Sequence, residues 1–183
     1  MNEEDASMNA PVKSFTAVKI AVLPPVARLN LRIAPANLAS ASAAFGLPMP
    51  TKIGQGVAKN GHAAWCLGPD EWLLHAPEAE QAAIVADFAK ARATVPHSLT
   101  VISDREFTIA ITGTRAQEFL TVACPLDLSR MAPGAAKRTL FDSAQVVLIR
   151  DADDAFRIEV WRSFFPHVSE LLDIALREFA CGL

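Results

Sequence analysis

The chain has 183 residues, 51% of them hydrophobic, enough to bury a substantial core in one domain or two small ones. Its 17 Lys and Arg stand against 20 Asp and Glu, and the resulting net charge of −3 leaves no electrostatic footprint for nucleic acid or an anionic membrane. Three widely separated cysteines, Cys66, Cys124 and Cys181, make neither an even disulfide set nor a CxxC pair, which suits a reducing cytoplasm and excludes a structural zinc signature.

Residues 1–14 are polar and acidic and lack the charged and apolar regions of a secretory signal. Val18 to Val26 is apolar but broken by Lys19 and Pro24-Pro25, far short of the roughly 20 residues that a membrane helix needs. Residues 1–25 are therefore expected to form an N-terminal arm, partly flexible or partner-docking, ahead of a single globular domain over 26–183.

Val26 to Ile33 alternates apolar with polar and predicts a half-buried strand. An Ala-rich run, Ala36 to Phe45, predicts a short helix stopped by Gly46 and Pro48. Pro48 to Lys59 reads as a loop, and its Gly54-Gln55-Gly56 lacks the third glycine, strand and helix of a phosphate-binding fingerprint. Trp65 to Leu74 holds two apolar runs around Gly68-Pro69-Asp70, the clearest hairpin in the sequence. Glu78 to Arg92 follows with an apolar stripe at helical spacing.

The order then repeats. Phe107 to Thr112 alternates as a strand; Gly113-Thr114 breaks it and supplies a cap for a short helix buried through Ala116, Phe119, Leu120 and Ala123. A loop with Pro125, Pro133 and Gly134 leads to a strand near 145–150, a turn at 151–154 and a returning strand with Phe156, Ile158 and Val160 inward. After Pro166, the positions Val168, Leu171, Leu172, Ala175, Leu176 and Phe179 keep the i, i+3, i+4 rule. The halves, 26–95 and 99–183, are pseudo-repeats of one βαββα unit. The expected class is α+β, with helices packed on mixed or antiparallel sheet.

Few residues carry chemistry. His62, His75, His97 and His167 have no Cys or carboxylate at metal-ligand spacing. His75 reads as a hydrogen-bonded strand-end histidine and Cys124 as a buried, inert thiol with no partner base. Asp104 and Arg105, just before an apolar strand, and Arg162, just after one, are the candidates for binding. A carboxylate there can accept from a pterin-like ring and an arginine can take a glutamate tail, while the competing reading makes them a turn cap and ion pairs within or between subunits. Trp65, Trp72 and Trp161 read as core or interface anchors.

Four runs in order, Leu67-Gly68-Pro69-Asp70-Glu71-Trp72-Leu73-Leu74, Val101-Ile102-Ser103-Asp104-Arg105, Cys124-Pro125-Leu126-Asp127-Leu128 and Arg162-Ser163-Phe164, resemble the gamma-subunit family of heterotetrameric sarcosine oxidase. The resemblance spans about Val26 to the C-terminus. It implies a fold related to the folate-binding domain of the glycine-cleavage aminomethyltransferase. It also implies a cytoplasmic complex with alpha, beta and delta subunits that demethylates sarcosine to glycine, passing the one-carbon unit to tetrahydrofolate and electrons to oxygen. The FAD, FMN, NAD and folate of such a complex belong to the large subunits and its zinc to the delta subunit. This chain would then be a structural component with no catalytic residue, possessing apolar patches that favour a homo-oligomer when it is isolated. A stand-alone folate-binding protein or folate-dependent one-carbon transferase, and a scaffold for another amine-oxidising complex, stay open.

Overall fold

Alternation becomes sheet and the i, i+3, i+4 runs become helix throughout the computed structural model, which describes residues 13–15 and 17–181; residues 1–12 of the expected arm lie outside the described residues. Strands β1 (Lys13–Phe15), β2 (Val18–Val22) and β3 (Ala27–Ile33) lead to helix α1 (Leu38–Phe45). Strands β4 (Gly56–Lys59), β5 (His62–Gly68) and β6 (Glu71–Ala76) precede α2 (Gln81–Ala91). After β7 (His97–Val101) and β8 (Glu106–Thr112) come α3 (Ala116–Leu120), β9 (Ala136–Phe141), β10 (Ala144–Ala152), β11 (Ala155–Trp161) and α4 (Phe165–Ala180). Two compact units result, one from residues 25–103 with 134–136, the other from the described residues up to Pro24 with 104–133 and those from Lys137 on.

The unit holding residues 25–103 has a five-stranded sheet in the order β4-β5-β6-β3-β7, with antiparallel neighbours throughout. Period two puts Leu29, Leu31 and Ile33 of β3 on one face with Trp72 and Leu74 of β6, and there they pack with Phe45 of α1 and Ile84 and Phe88 of α2. Gly46 ends α1 at φ 73°, a conformation that glycine adopts without a Cβ penalty. The indole N–H of Trp72 donates to the Pro50 carbonyl at 2.8 Å, so burying this large ring leaves no orphan donor.

The other unit has a six-stranded sheet in the order β1-β2-β8-β11-β10-β9. Val168, Leu172, Ala175, Leu176 and Phe179 form the buried stripe of α4, and the Phe179 ring meets Phe119 of α3 edge-on at 5.5 Å.

Duplication is visible in single hydrogen bonds. A register shift falls between Cys66 and Gly68 in the β5–β6 pair and between Arg150 and Ala152 in the β10–β11 pair. Across these bulges the Cys66 thiol donates to the Gly68 carbonyl at 3.2 Å and Arg150 Nε to the Ala152 carbonyl at 3.1 Å. The Ile33 N–H donates to the Asp70 carbonyl at 3.1 Å, as the Gly113 N–H does to that of Asp154 at 2.9 Å.

Each unit also takes one strand from ahead of the other's first long strand. β2 precedes β3 in the chain yet pairs with β8, while β7 precedes β8 yet pairs with β3. The chain therefore passes between units at Pro24-Pro25 and at Ser103-Asp104.

Some readings need correction. The stretch from Pro48 to Lys59 ends in β4, because Gly56 allows the close approach of the Trp65 indole and the Gly134 carbonyl. The loop before residue 145 contains β9. Thr114 is not a helix cap, since Arg115 occupies the N-cap position and makes no side-chain cap bond.

Candidate functional site at the ends of strands β8 and β11

Pairing of β8 with β11 sets Glu106 opposite Trp161 and so brings the chain before β8 beside the chain after β11. All three sequence candidates meet there. The Arg162 N–H donates to the Arg105 carbonyl at 2.7 Å, and Arg162 Nε donates to the Asp104 carbonyl at 2.9 Å. Arg105 pairs with Oε1 of Glu106 at 2.7 Å, a carboxylate that is buried while the guanidinium is half exposed.

Aromatic rings carry both guanidinium groups. Arg105 lies over Trp161 at 4.8 Å and Arg162 over Phe107 at 5.0 Å, while Phe107 packs on Phe165 at 4.6 Å. Trp161 and Phe164 keep 41% and 40% of their surface exposed. Arg105 is already paired with Glu106, whereas Arg162 meets no carboxylate among the described residues and keeps N–H donors for an acceptor.

This arrangement can hold a carboxylate at the protein surface. It fits a pterin ring less well, because Asp104, Arg105 and Arg162 are all exposed and pterin recognition calls for an enclosed, largely apolar slot.

Elsewhere the sequence candidates are tied into structure. His75 lies buried within β6, edge-on to Trp65 at 5.0 Å, and Trp65 donates to the Gly134 carbonyl at 3.2 Å. His62 bridges the Phe45 carbonyl and Glu80, each at 2.9 Å. His167 meets Asp142 at 3.1 Å. Burial pushes the thiols of Cys66 and Cys124 above their ordinary range, against hydrogen bonds to backbone that pull the other way. Among the described residues no group of three metal-ligating side chains converges, and no helix is long and apolar enough to cross a membrane.

Two buried polar arrangements were not singled out from the sequence. Thr108 donates toward both carboxylate oxygens of Glu159 at 2.9 Å, directly across the β8–β11 pair. Arg150 is wrapped by backbone carbonyls. Strand alternation marks Thr108 and Glu159 only as outward-facing, and their burial depends on what covers that second face of the sheet.

Comparison with known proteins decides the family. Residues 32–176 match the family described as sarcosine oxidase, gamma subunit family. The chain belongs to this family. Among its relatives, the sarcosine oxidase subunit gamma of Corynebacterium sp. (strain U-96) is 29% identical over 178 residues, covering 94% of this chain and 86% of that protein. The subunit gamma of an Arthrobacter species is 29% identical over 149 residues, 79% of this chain and 72% of its own. A chain in the solved heterotetrameric sarcosine oxidase from Corynebacterium sp. U-96, in complex with pyrrole 2-carboxylate, superposes with a TM-score of 0.84 at 28% identity, covering 96% of this chain and 91% of that one. Aminomethyltransferase T of the glycine cleavage system from Bartonella henselae matches with a TM-score of 0.67 at 15% identity over 85% of this chain and 45% of its own, a likeness of fold alone. The chain thus has the α+β class expected from the βαββα repeat and the aminomethyltransferase-like fold that the family resemblance implies.

Proposed function

We propose that this chain works as the non-catalytic gamma subunit of a cytoplasmic sarcosine oxidase complex and that Asp104, Arg105 and Arg162 serve assembly with the other subunits. The observation that carries the reading is the site itself: two arginines lying over aromatic rings at an exposed sheet end, with no metal-ligating cluster among the described residues. Arginine and tryptophan are the side chains that dominate the energetics of protein interfaces. In this reading the alpha, beta and delta subunits bind the flavins, NAD, folate and zinc, and sarcosine is oxidised to glycine there. Free thiols at Cys66, Cys124 and Cys181 fit a reducing compartment.

A tagged chain isolated from its native cells, with mass spectrometry and a visible spectrum of the eluate, tests this. The expected eluate contains two large subunits and one small one, shows flavin bands, and forms hydrogen peroxide when sarcosine is added. A colourless, solitary chain that binds tetrahydrofolate would replace the reading with a stand-alone folate protein. The Arg162→Ala chain is expected to recover less complex, with folate coupling per assembled complex unchanged. Loss of folate coupling with assembly intact would move Arg162 from assembly to cofactor contact.

A further inference from the structure

The two units carry the same outer strand at the same register, and among the described residues only one of these strands is covered. β2 runs along β8 through Val22↔Ile109 and Ile20↔Ile111, and β7 runs along β3 through Val101↔Leu29 and Leu99↔Leu31. The next residue makes the same bond in each: the Leu23 N–H to the Thr108 carbonyl at 2.9 Å, the Ile102 N–H to the Arg28 carbonyl at 2.8 Å. Beyond β2, strand β1 pairs through Lys13↔Ile20 and Phe15↔Val18. Among the described residues β7 is the last strand of its sheet.

Ladder alternation says which groups are left. In an antiparallel pair every second residue exchanges hydrogen bonds with its neighbour and the residues between turn theirs outward. The Ile102–Arg28 bond fixes the parity, so Ser98 and Thr100 bond to β3 while His97 and Leu99 direct N–H and C=O away from it. These are the counterparts of Val18 and Ile20, the two residues whose outward groups β1 takes in the other unit.

Edge strands usually carry a device that blocks further pairing. The outer strand β9 has Lys137 and Arg138, and the outer strand β4 is four residues long and ends in Lys59. β7 reads His-Ser-Leu-Thr-Val, with no lysine, proline or bulge, and it leaves Val101 at 41% exposure.

We propose that β7 is a docking edge to which a partner subunit of the complex adds an extended segment as a further strand, through the backbone groups of His97 and Leu99. The occupant is a polypeptide because a row of alternating N–H and C=O groups is complemented by another backbone. Half-buried Leu99, packed against the core of its unit, selects a segment with apolar residues at alternate positions. The proposal rests on the assembly reading above.

Residue-resolved hydrogen exchange on the full chain alone and in the purified complex tests it. Alone, the amides of His97 and Leu99 should exchange at least about tenfold faster than those of Ser98 and Thr100, and in the complex they should slow by at least about tenfold. Thr100→Lys, at an exposed position whose backbone stays bonded to β3, places a blocking charge on the edge and should lower recovery of the complex roughly five- to tenfold, the worth of about one lost hydrogen bond. A complex that forms with both amides still exchanging fast overturns the docking edge and leaves the assembly reading standing. A chain that stays alone in native cells overturns both. Protection of the amides in the isolated chain also overturns the proposal, assigning the edge to a second copy if it depends on concentration and to the chain's own residues if it does not.

Discussion

Arg150 Nη1 lies 2.6 Å from the carbonyl oxygen of Met131 and 3.0 Å from that of Leu128, while Nη2 reaches the Asp153 carbonyl at 3.1 Å. One buried guanidinium therefore ties the loop before β9 to the turn that joins β10 and β11. Replacing it with methionine keeps length and apolar contact but strands several carbonyls away from water. Arg150→Met should lower the unfolding free energy by about 3 kcal/mol in denaturant melts, and Arg150→Lys should recover less than half, because an ammonium lacks the planar fork that these carbonyls face. A change under about 0.5 kcal/mol in the methionine variant would show that water replaces the clamp.

How far the sequence discloses the molecule follows from which signals are local. Gly46, the Gly68-Pro69-Asp70 turn and the stripe from Val168 to Phe179 each encode their structure within a few residues, and α1, the β5–β6 hairpin and α4 form where expected. β2 and β7 are short strands whose identity comes from a neighbour distant in sequence, so composition alone reads them as arm or loop. β4 and β9 adjoin β5 and β10 through two-residue turns, but the prolines and glycines around them read as loop. The exchange of β2 and β7 between units has no sequence signature, since each strand looks as if it belonged to the one that follows it. Asp104, Arg105 and Arg162 were found because charges next to apolar strands mark sheet ends, and strand pairing then brought them together. Arg150 carries no such mark, because apart from the Asp153 carboxylate its partners are main-chain carbonyls, which no side-chain pattern records.

Gly56 opens β4 where a Cβ would collide with the Gly134 carbonyl and with the Trp65 ring. Neither is the yielding end of a flexible side chain: one is backbone, and the Trp65 indole is fixed by its bond to that same carbonyl. Gly56→Ala should therefore cost about 2–3 kcal/mol and shift the fluorescence of Trp65, as overpacking does in well-packed sites. Gly134→Ala is the informative companion, because a Cβ there meets nothing within 4 Å but the backbone sits at φ 81°. It should cost about 1 kcal/mol through backbone strain alone and leave the Trp65 signal unchanged. Equal effects from the two would refute the steric account.

The three thiols should separate by reactivity. Burial raises Cys66 and Cys124, so both hold less thiolate than an ordinary cysteine at neutral pH and both are shielded from reagent, whereas Cys181 is exposed at the end of α4. Titration of the folded chain with a chromogenic disulfide near pH 7.5 should release about one equivalent quickly, with the remainder appearing only in denaturant. Cys181→Ser should abolish the fast phase. A fast phase that survives in that variant would mean that Cys66 or Cys124 becomes accessible by local opening.

Asp142 gives the fold a dependence on acid. The Ser143 N–H and hydroxyl, and then His167 at 3.1 Å, hold its carboxyl below the usual carboxylate range. Because folding lowers this pKa, the group adds stability at every pH above its unfolded value of about 3.9. That contribution disappears as pH falls through the lower folded value. The backbone of Asp142 lies at φ 52°, a region that asparagine tolerates, so Asp142→Asn removes the charge without new strain. Denaturation midpoints of parent and variant should differ at pH 7, approach each other between about pH 5 and pH 2, and coincide at the acid end. His167→Gln should reproduce only part of the difference, since the Ser143 donors are the larger cause. A gap between parent and Asp142→Asn that stays constant down to about pH 2 would assign the effect to the changed hydrogen bonds rather than to the charge.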